Sequence, residues 1–305
     1  DAGPSRLGRG PGQVLRSTVV RSEGRLALWL LLSPALLWLT LLIVLPHVDM
    51  VILALSERVR PRVYEFGFGN FAEFFKEPLY WHTFGRTVAF SLLATLATFL
   101  VAFPTAYYIA KLMRGRAKSL AFIACLLPFW VSELVRTLGW IILLRETGVV
   151  STLLLDLGIT GGRVEFLYND AAILVGLVYS SLLFMVVPLV TSLDTLDDSM
   201  IEAGYDLGGN GFDVLREIVV PHAVPGILSG SIVVFMLTLG NYVTPTLLGG
   251  KNSLWFTEQI YNQFITRFNW QLGSAFGILL LVASSGIVWA GLKLSRQSLG
   301  TVIGR

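Results

Sequence analysis

Six apolar runs, at residues 26–46, 87–110, 120–144, 171–191, 223–247 and 274–292, dominate the sequence. Each supplies roughly twenty residues, the length an α-helix needs to cross a hydrocarbon core about 30 Å thick. In such a core every backbone polar group must be satisfied within the segment, which restricts runs of this kind to helices. Composition agrees: 54% of the 305 residues are hydrophobic and only 14% charged, too little polar surface to cover a soluble domain of this size. The expected fold is an all-α polytopic membrane protein with six transmembrane helices. One membrane domain, 26–292, is flanked by tails at 1–25 and 293–305.

Lysine and arginine set the expected orientation. Arg6, Arg9, Arg16, Arg21 and Arg25 lie among Gly, Pro and Ser in a stretch read as a disordered, basic, cytoplasmic tail. Lys111, Arg114, Arg116 and Lys118 crowd the short connection after the second run; Lys293, Arg296 and Arg305 follow the sixth. The opposite loops are longer and carry Glu57, Glu65, Glu73, Glu77, Glu146, Asp156, Glu165 and Asp170. Both termini, and the polar connection between the fourth and fifth runs, are therefore expected in the cytoplasm. No small-residue cleavage site follows 26–46, so that run is read as a span and not as a signal peptide.

The patterns of a self-contained catalyst do not occur. His47, His82 and His222 are too scattered for a metal site, and Cys125 has no partner for a disulfide. Gly250–Lys251 fails as a phosphate loop, because Pro245 holds the first-glycine position and Asn252 replaces Ser/Thr. Basic residues sit beside spans and not on a soluble face, which argues against nucleic-acid binding. An architecture suited to transport, without an engine, draws its energy from a partner or an ion gradient.

Between the fourth and fifth runs lies the polar stretch 199–221. Ser199 is the expected N-cap, with Glu202 three residues on; Gly208 supplies a turn, and Pro221 is expected to end a second helix. Phe212, Val214, Leu215 and Ile218 are expected to pack this helix–turn–helix against the chain's own helices. The stretch resembles the EAA loop of ABC importer permeases. Glu202, Ala203, Gly208, Ile218 and Pro221 fall in register with that pattern, while Gly204 stands for its second Ala and Val220 for its Leu. The resemblance implies that 199–221 is a coupling loop lying in a cleft of a cytoplasmic ATPase.

Polar residues inside the apolar runs are the candidates for a solute path. Glu133 and Arg136, three apart on one helical face and flanked by Trp130 and Trp140, form either a structural ion pair or part of such a path. Asn241, Tyr242, Thr244 and Thr246 surround Pro245 at the end of the fifth run, as a gate in an interrupted helix or as a capped helix end. Small residues from Gly273 to Gly286 suggest a packing face on the sixth.

The stretches 126–140, 199–221, 242–250 and 269–276 together are similar to the spermidine/putrescine branch of these permeases, whose solutes include polyamines and opines. The resemblance implies a bacterial inner-membrane complex: this chain, a second homologous permease, an ATPase dimer binding ATP and Mg, and a periplasmic solute-binding protein. It implies no cofactor in this chain, membrane lipid as a further contact and no nucleic-acid partner. The alternative class, a self-sufficient ion-coupled carrier or channel, would be expected to show relayed intramembrane acids or internal repeats, and the sequence shows neither.

Overall fold

The computed structural model describes residues 28–60, 63–250 and 253–294. The tail at 1–25 lies outside them, as do Lys251, Asn252 and residues 295–305. Among the described residues, six segments are long and apolar enough to cross a membrane. The first, α1 (Leu28–Ala54), is followed by a hairpin of β1 (Ser56–Arg60) and β2 (Val63–Phe66) and a short helix α2 (Gly69–Lys76). Then come α3 (Pro78–Leu112), α4 (Gly115–Leu126), α5 (Glu133–Leu144) and α6 (Val149–Asp156). Next are α7 (Asp170–Asp194), α8 (Asp198–Asp206), α9 (Gly211–Gly240) and α10 (Val243–Gly249). The chain closes with α11 (Phe256–Tyr261) and α12 (Trp270–Leu294).

The six-helix membrane fold is as expected, but two runs are not single helices. The run 120–144 is cut: α4 tightens into a 3₁₀ turn at Leu127–Trp130, where Pro128 sits, and Val131 and Ser132 are extended before α5 starts at Glu133. The apolar span there is Glu133–Asp156, formed by α5 and α6. The run 223–247 is cut as well, since α9 ends at Gly240 and extended Asn241 separates it from α10. Broken helices survive in a bundle when neighbouring groups satisfy the freed backbone.

Pro221 does not end a helix. It lies within α9, next to a π-helical turn at Leu215–Val219, and Pro46 in α1 has the same neighbour at Thr40–Val44. A prolyl ring collides with the carbonyl four residues back and has no N–H to give; a wider π turn at that point relieves both problems.

At the centre of the bundle α7 packs between α3 and α9. Gly226 and Gly230 bring α9 so close that an added Cβ would stand 2.7 Å from the Pro188 carbonyl and from Met185 Sδ respectively. Met185, Val186, Leu189 and Leu193 of α7 are buried there. On α3 the buried face is a ladder of small hydroxyls: Thr83, Thr87, Thr95 and Thr98 each donate to the carbonyl four residues back, at 2.6–2.9 Å. Satisfied within their own helix, these four let helices approach closely, while Ser91 Oγ on the same helix is buried without a partner. In α12 Ser274, Ala275 and Ser284 are buried and Gly277 meets Met50 of α1, whereas nothing lies near Gly286.

The hairpin has no signature among the six runs. It pairs Glu57 with Glu65 and is tied to α2 by the Asn70 amide, which donates to the Ala54 and Ser56 carbonyls at 3.0 Å.

Candidate functional site

Both helix breaks face one open cavity of about 520 Å³ between the start of α5, the middle of α7 and the end of α9. Glu133 and Arg136 enter it from the start of α5, Ser180, Ser181 and Phe184 from α7, and Met236, Asn241 and Tyr242 from the end of α9 and the break after it. Asn241 joins the two interruptions: its amide donates to Glu133 Oε1 at 2.6 Å, while its own Oδ1 accepts from the Thr244 backbone N–H at 3.1 Å. Thr244 Oγ1 adds a 3.4 Å contact to the same Glu133 oxygen. A carboxylate in one broken span thus holds the start of α10 after the other.

Arg136 is not paired with Glu133. No ion pair joins them among the described residues, and Arg136 Nε is shut off from solvent without a hydrogen-bond partner. Arg136 also borders a second, smaller cavity of about 100 Å³ that it shares with Phe129, Ser180 and Cys125. The structural ion-pair alternative is thereby corrected: helical spacing puts both side chains on one face, but Glu133 is turned to Asn241.

Of the other sequence candidates, Tyr242 lines the cavity and stacks on Tyr261 at 4.6 Å. Thr244 is fully buried behind it. Trp130 is 79% exposed and does not reach the cavity; Phe129, its neighbour in the 3₁₀ turn, does, packed edge-on against Phe184. Ser180, Ser181 and Phe184 were not singled out. The paired serines inside the apolar run 171–191 are the one trace they leave in the sequence.

At the far end of α7 and α9 the stretch 199–221 forms α8, a tight turn and the start of α9. The N-cap is Asp197, not Ser199: its carboxylate accepts from the Ser199 backbone N–H at 3.0 Å, two positions earlier than the expected cap. That bond, then the Ser199 hydroxyl, then the nearby Lys111 charge hold the Asp197 carboxyl below the usual carboxylate range against the opposing desolvation. Gly208 closes α8 with φ +85°; its N–H donates to Tyr205 O and the Gly209 N–H to Gly204 O, the paired bonds of a Schellman C-cap. Asn210 and Asp213 then form a reciprocal capping box on α9.

Lys111 fastens the start of this unit to the bundle, and Lys118 ties α4 to the ends of α3 and α7 beside it. Lys111 donates to the Leu196 carbonyl and lies 3.0 Å from Asp198; Lys118 donates to the Ala110 carbonyl and lies 2.7 Å from Asp194. Val214 is buried and Leu215 and Ile218 pack on the core, but Phe212 is 67% exposed, a correction to the expectation that all four pack inward. Capping explains it: in the first turn of α9, Phe212 falls on the outer side of the capping box. Glu202, Ala203, Leu207 and Pro221 are exposed too, so the outer surface of the loop is part acidic and part apolar.

The spermidine/putrescine transport system permease protein PotB of Haemophilus influenzae is 30% identical over 254 residues, covering 83% of this chain and 88% of that one. The chain belongs to the ABC transporter permeases of the spermidine/putrescine type. PotB of Escherichia coli K12 is 32% identical over 206 residues, 68% of this chain and 74% of that one. The inner membrane ABC transporter permease protein YdcU of the same strain is 32% identical over 209 residues, 65% and 66% of the two chains. No family model matches the chain. A bacterial ABC transporter involved in the import of the acidic polysaccharide alginate superposes with a TM-score of 0.73 at 19% identity, over 94% of this chain and 99% of its own. A second structure, of an alginate ABC transporter with its pentasaccharide-bound periplasmic protein, gives the same score over 90% and 95%. This permease is a multi-pass inner-membrane protein, and its fold is that of an importer subunit.

Proposed function

We propose that this permease forms one half of the path by which a small amine-bearing solute, a polyamine, opine or similar compound, enters the cell. A second homologous permease supplies the other half, and a periplasmic solute-binding protein delivers the solute. A cytoplasmic ATPase dimer holding ATP and Mg supplies the energy and contacts the 199–221 loop, with both termini on the same side. The observation that carries the reading is the loop itself. It is capped at both ends of α8, fastened to the bundle through Lys111, and presents Glu202, Ala203 and Leu207 outward. A rigid unit continuous with a membrane-spanning helix converts movement of a partner into tilting of α9. The cavity between the two helix breaks, with a carboxylate and aromatic rings on its wall, suits an ammonium-bearing solute.

The test is ATPase activity of the reconstituted complex, with binding proteins loaded with putrescine, spermidine or an opine added one at a time. Stimulation by one of them is expected, and Glu202→Ala should weaken it while leaving membrane insertion intact. Failure of any ATPase to assemble with the chain overturns the coupling role of 199–221. Assembly without stimulation by any of these overturns the solute class alone.

A further inference from the structure

Arg136 is the group in the cavity that transport of a simple polycation leaves without a use. A guanidinium inside a membrane bundle is expensive to keep and normally faces a partner charge. Here it lines the 520 Å³ cavity and the smaller one beside it. Its Nε finds no acceptor, and no described carboxylate lies within ion-pair distance. Glu133, three residues earlier, spends Oε1 on Asn241 and Thr244, while its Oε2 accepts from no described residue. The cavity is therefore lined by an unpaired guanidinium and, one helical turn earlier, by the residue whose second carboxylate oxygen has no described donor. Phe129, Phe184 and Tyr242 supply flat apolar surface around them.

We infer that the cavity recognises a zwitterionic solute, one bearing an α-carboxylate together with an amine. The carboxylate would go to Arg136 and the ammonium to Glu133 Oε2 and the aromatic rings. Arg136 presents several donors in a fixed planar fork that matches a carboxylate, whereas a bare diamine entering the same space brings a second positive charge against it. A carboxylate on the solute removes that repulsion and gives the guanidinium lining the cavity the partner charge it lacks. This rests on the permease reading above and narrows its solute class.

Ornithine and putrescine make a matched pair of probes, since they differ only by one carboxylate. Equilibrium binding of each, radiolabelled, is measured on the full complex of both permeases and the ATPase in nanodiscs, without binding protein. Ornithine should bind about tenfold or more tighter than putrescine, as expected for charge-assisted hydrogen bonds. Arg136→Gln should bring the two within about twofold. Arg136→Lys should keep the preference in reduced form, and Glu133→Gln should weaken both probes. Putrescine binding as tightly as ornithine, an unchanged ratio in Arg136→Gln, or no saturable binding of either probe overturns the inference. If Arg136→Gln does not assemble, the wild-type ratio decides, supported by Arg136→Lys. ATPase stimulation by a loaded binding protein is scored separately. A complex that is stimulated but shows no ornithine preference leaves the permease reading standing and removes this one.

Discussion

Gly204 and Ile218 meet where a side chain on the first would press on the end of the second. A Cβ on Gly204 would stand 2.7 Å from Ile218 Cδ1 and 3.2 Å from Val214 Cγ2. Both residues belong to the EAA-like pattern, and Gly204 is one of the places where the chain departs from it. The departure is a packing fact: α8 folds back onto the first turns of α9 at this point, and glycine lets the two come together.

Gly204→Ala should be tolerated. The methyl group meets the mobile end of Ile218, and the strain of overpacking, about 1 kcal/mol at the low end of its range, is offset by a helix-propensity gain of similar size. Gly204→Leu wedges the helices apart and should lose about 1–3 kcal/mol. Thermal melts of the purified complex check this. Ile218→Ala combined with Gly204→Leu should recover part of the loss, since residues in contact do not behave additively.

The turn after α8 makes a sharper demand. Gly208 has φ +85°, and a Cβ on Gly209 would stand 2.8 Å from the Gly204 carbonyl, a backbone atom that cannot swing away. Gly208→Ala should cost about 1–2 kcal/mol, and Gly208→Asn less, because Asn tolerates the left-handed region. Hydrogen exchange at the Gly208 and Gly209 amides reports the loss directly. Uptake should fall with it while the amount of protein in the membrane is unchanged.

Much of this was legible in the sequence. Run length alone set the number of spans, because a hydrocarbon core admits few alternatives. Gly208 marked the turn, because a left-handed residue is a local requirement. The misreadings share a cause, which is that local rules were applied where neighbours decide. Pro221 is a helix breaker in isolation, yet a π turn at Leu215–Val219 absorbs it. Ser199 has the right chemistry for a cap, but the helix already starts at Asp198, and Asp197 caps it by accepting from the Ser199 N–H. Glu133 and Arg136 have ion-pair spacing, and a residue 108 positions away along the chain takes the carboxylate. Trp130 flanks the pair in sequence, but the 3₁₀ turn at Leu127–Trp130 leaves it exposed and gives the cavity Phe129 instead.

Lys111 and Lys118 look equivalent in sequence, but their burial separates them. Each donates to a backbone carbonyl, Lys111 to Leu196 and Lys118 to Ala110, but the Lys111 side chain is 8% exposed whereas that of Lys118 is 32% exposed, which lets water replace it at its acceptor. Lys111→Met strands a buried acceptor at the foot of α8 and should lower stability by about 1–3 kcal/mol. Lys118→Met should stay below about 1 kcal/mol, in line with exposed ion pairs. Melting curves of the two variants side by side distinguish them; equal losses would mean that Lys111 does not hold the loop.

Asn241 is the residue through which the two broken spans communicate. As donor to Glu133 and acceptor from Thr244, it needs one amide face in each direction, and neither Asp nor Ala provides both. Asn241→Ala leaves Glu133 with the longer Thr244 contact and frees the start of α10. Asn241→Asp keeps the bond from Thr244 but turns a 2.6 Å hydrogen bond into a meeting of two acceptors. Both variants should reduce uptake by about tenfold, the kinetic equivalent of one lost charge-assisted bond. Asn241→Asp should be the worse of the two, because it adds like-charge repulsion where Ala adds only space. Pairing Asn241→Asp with Glu133→Gln restores a donor opposite an acceptor, and uptake above that of the Asp single variant is the expected result. If the double variant is no better, Glu133 and Asn241 act independently, and the bond between them does not govern the cavity.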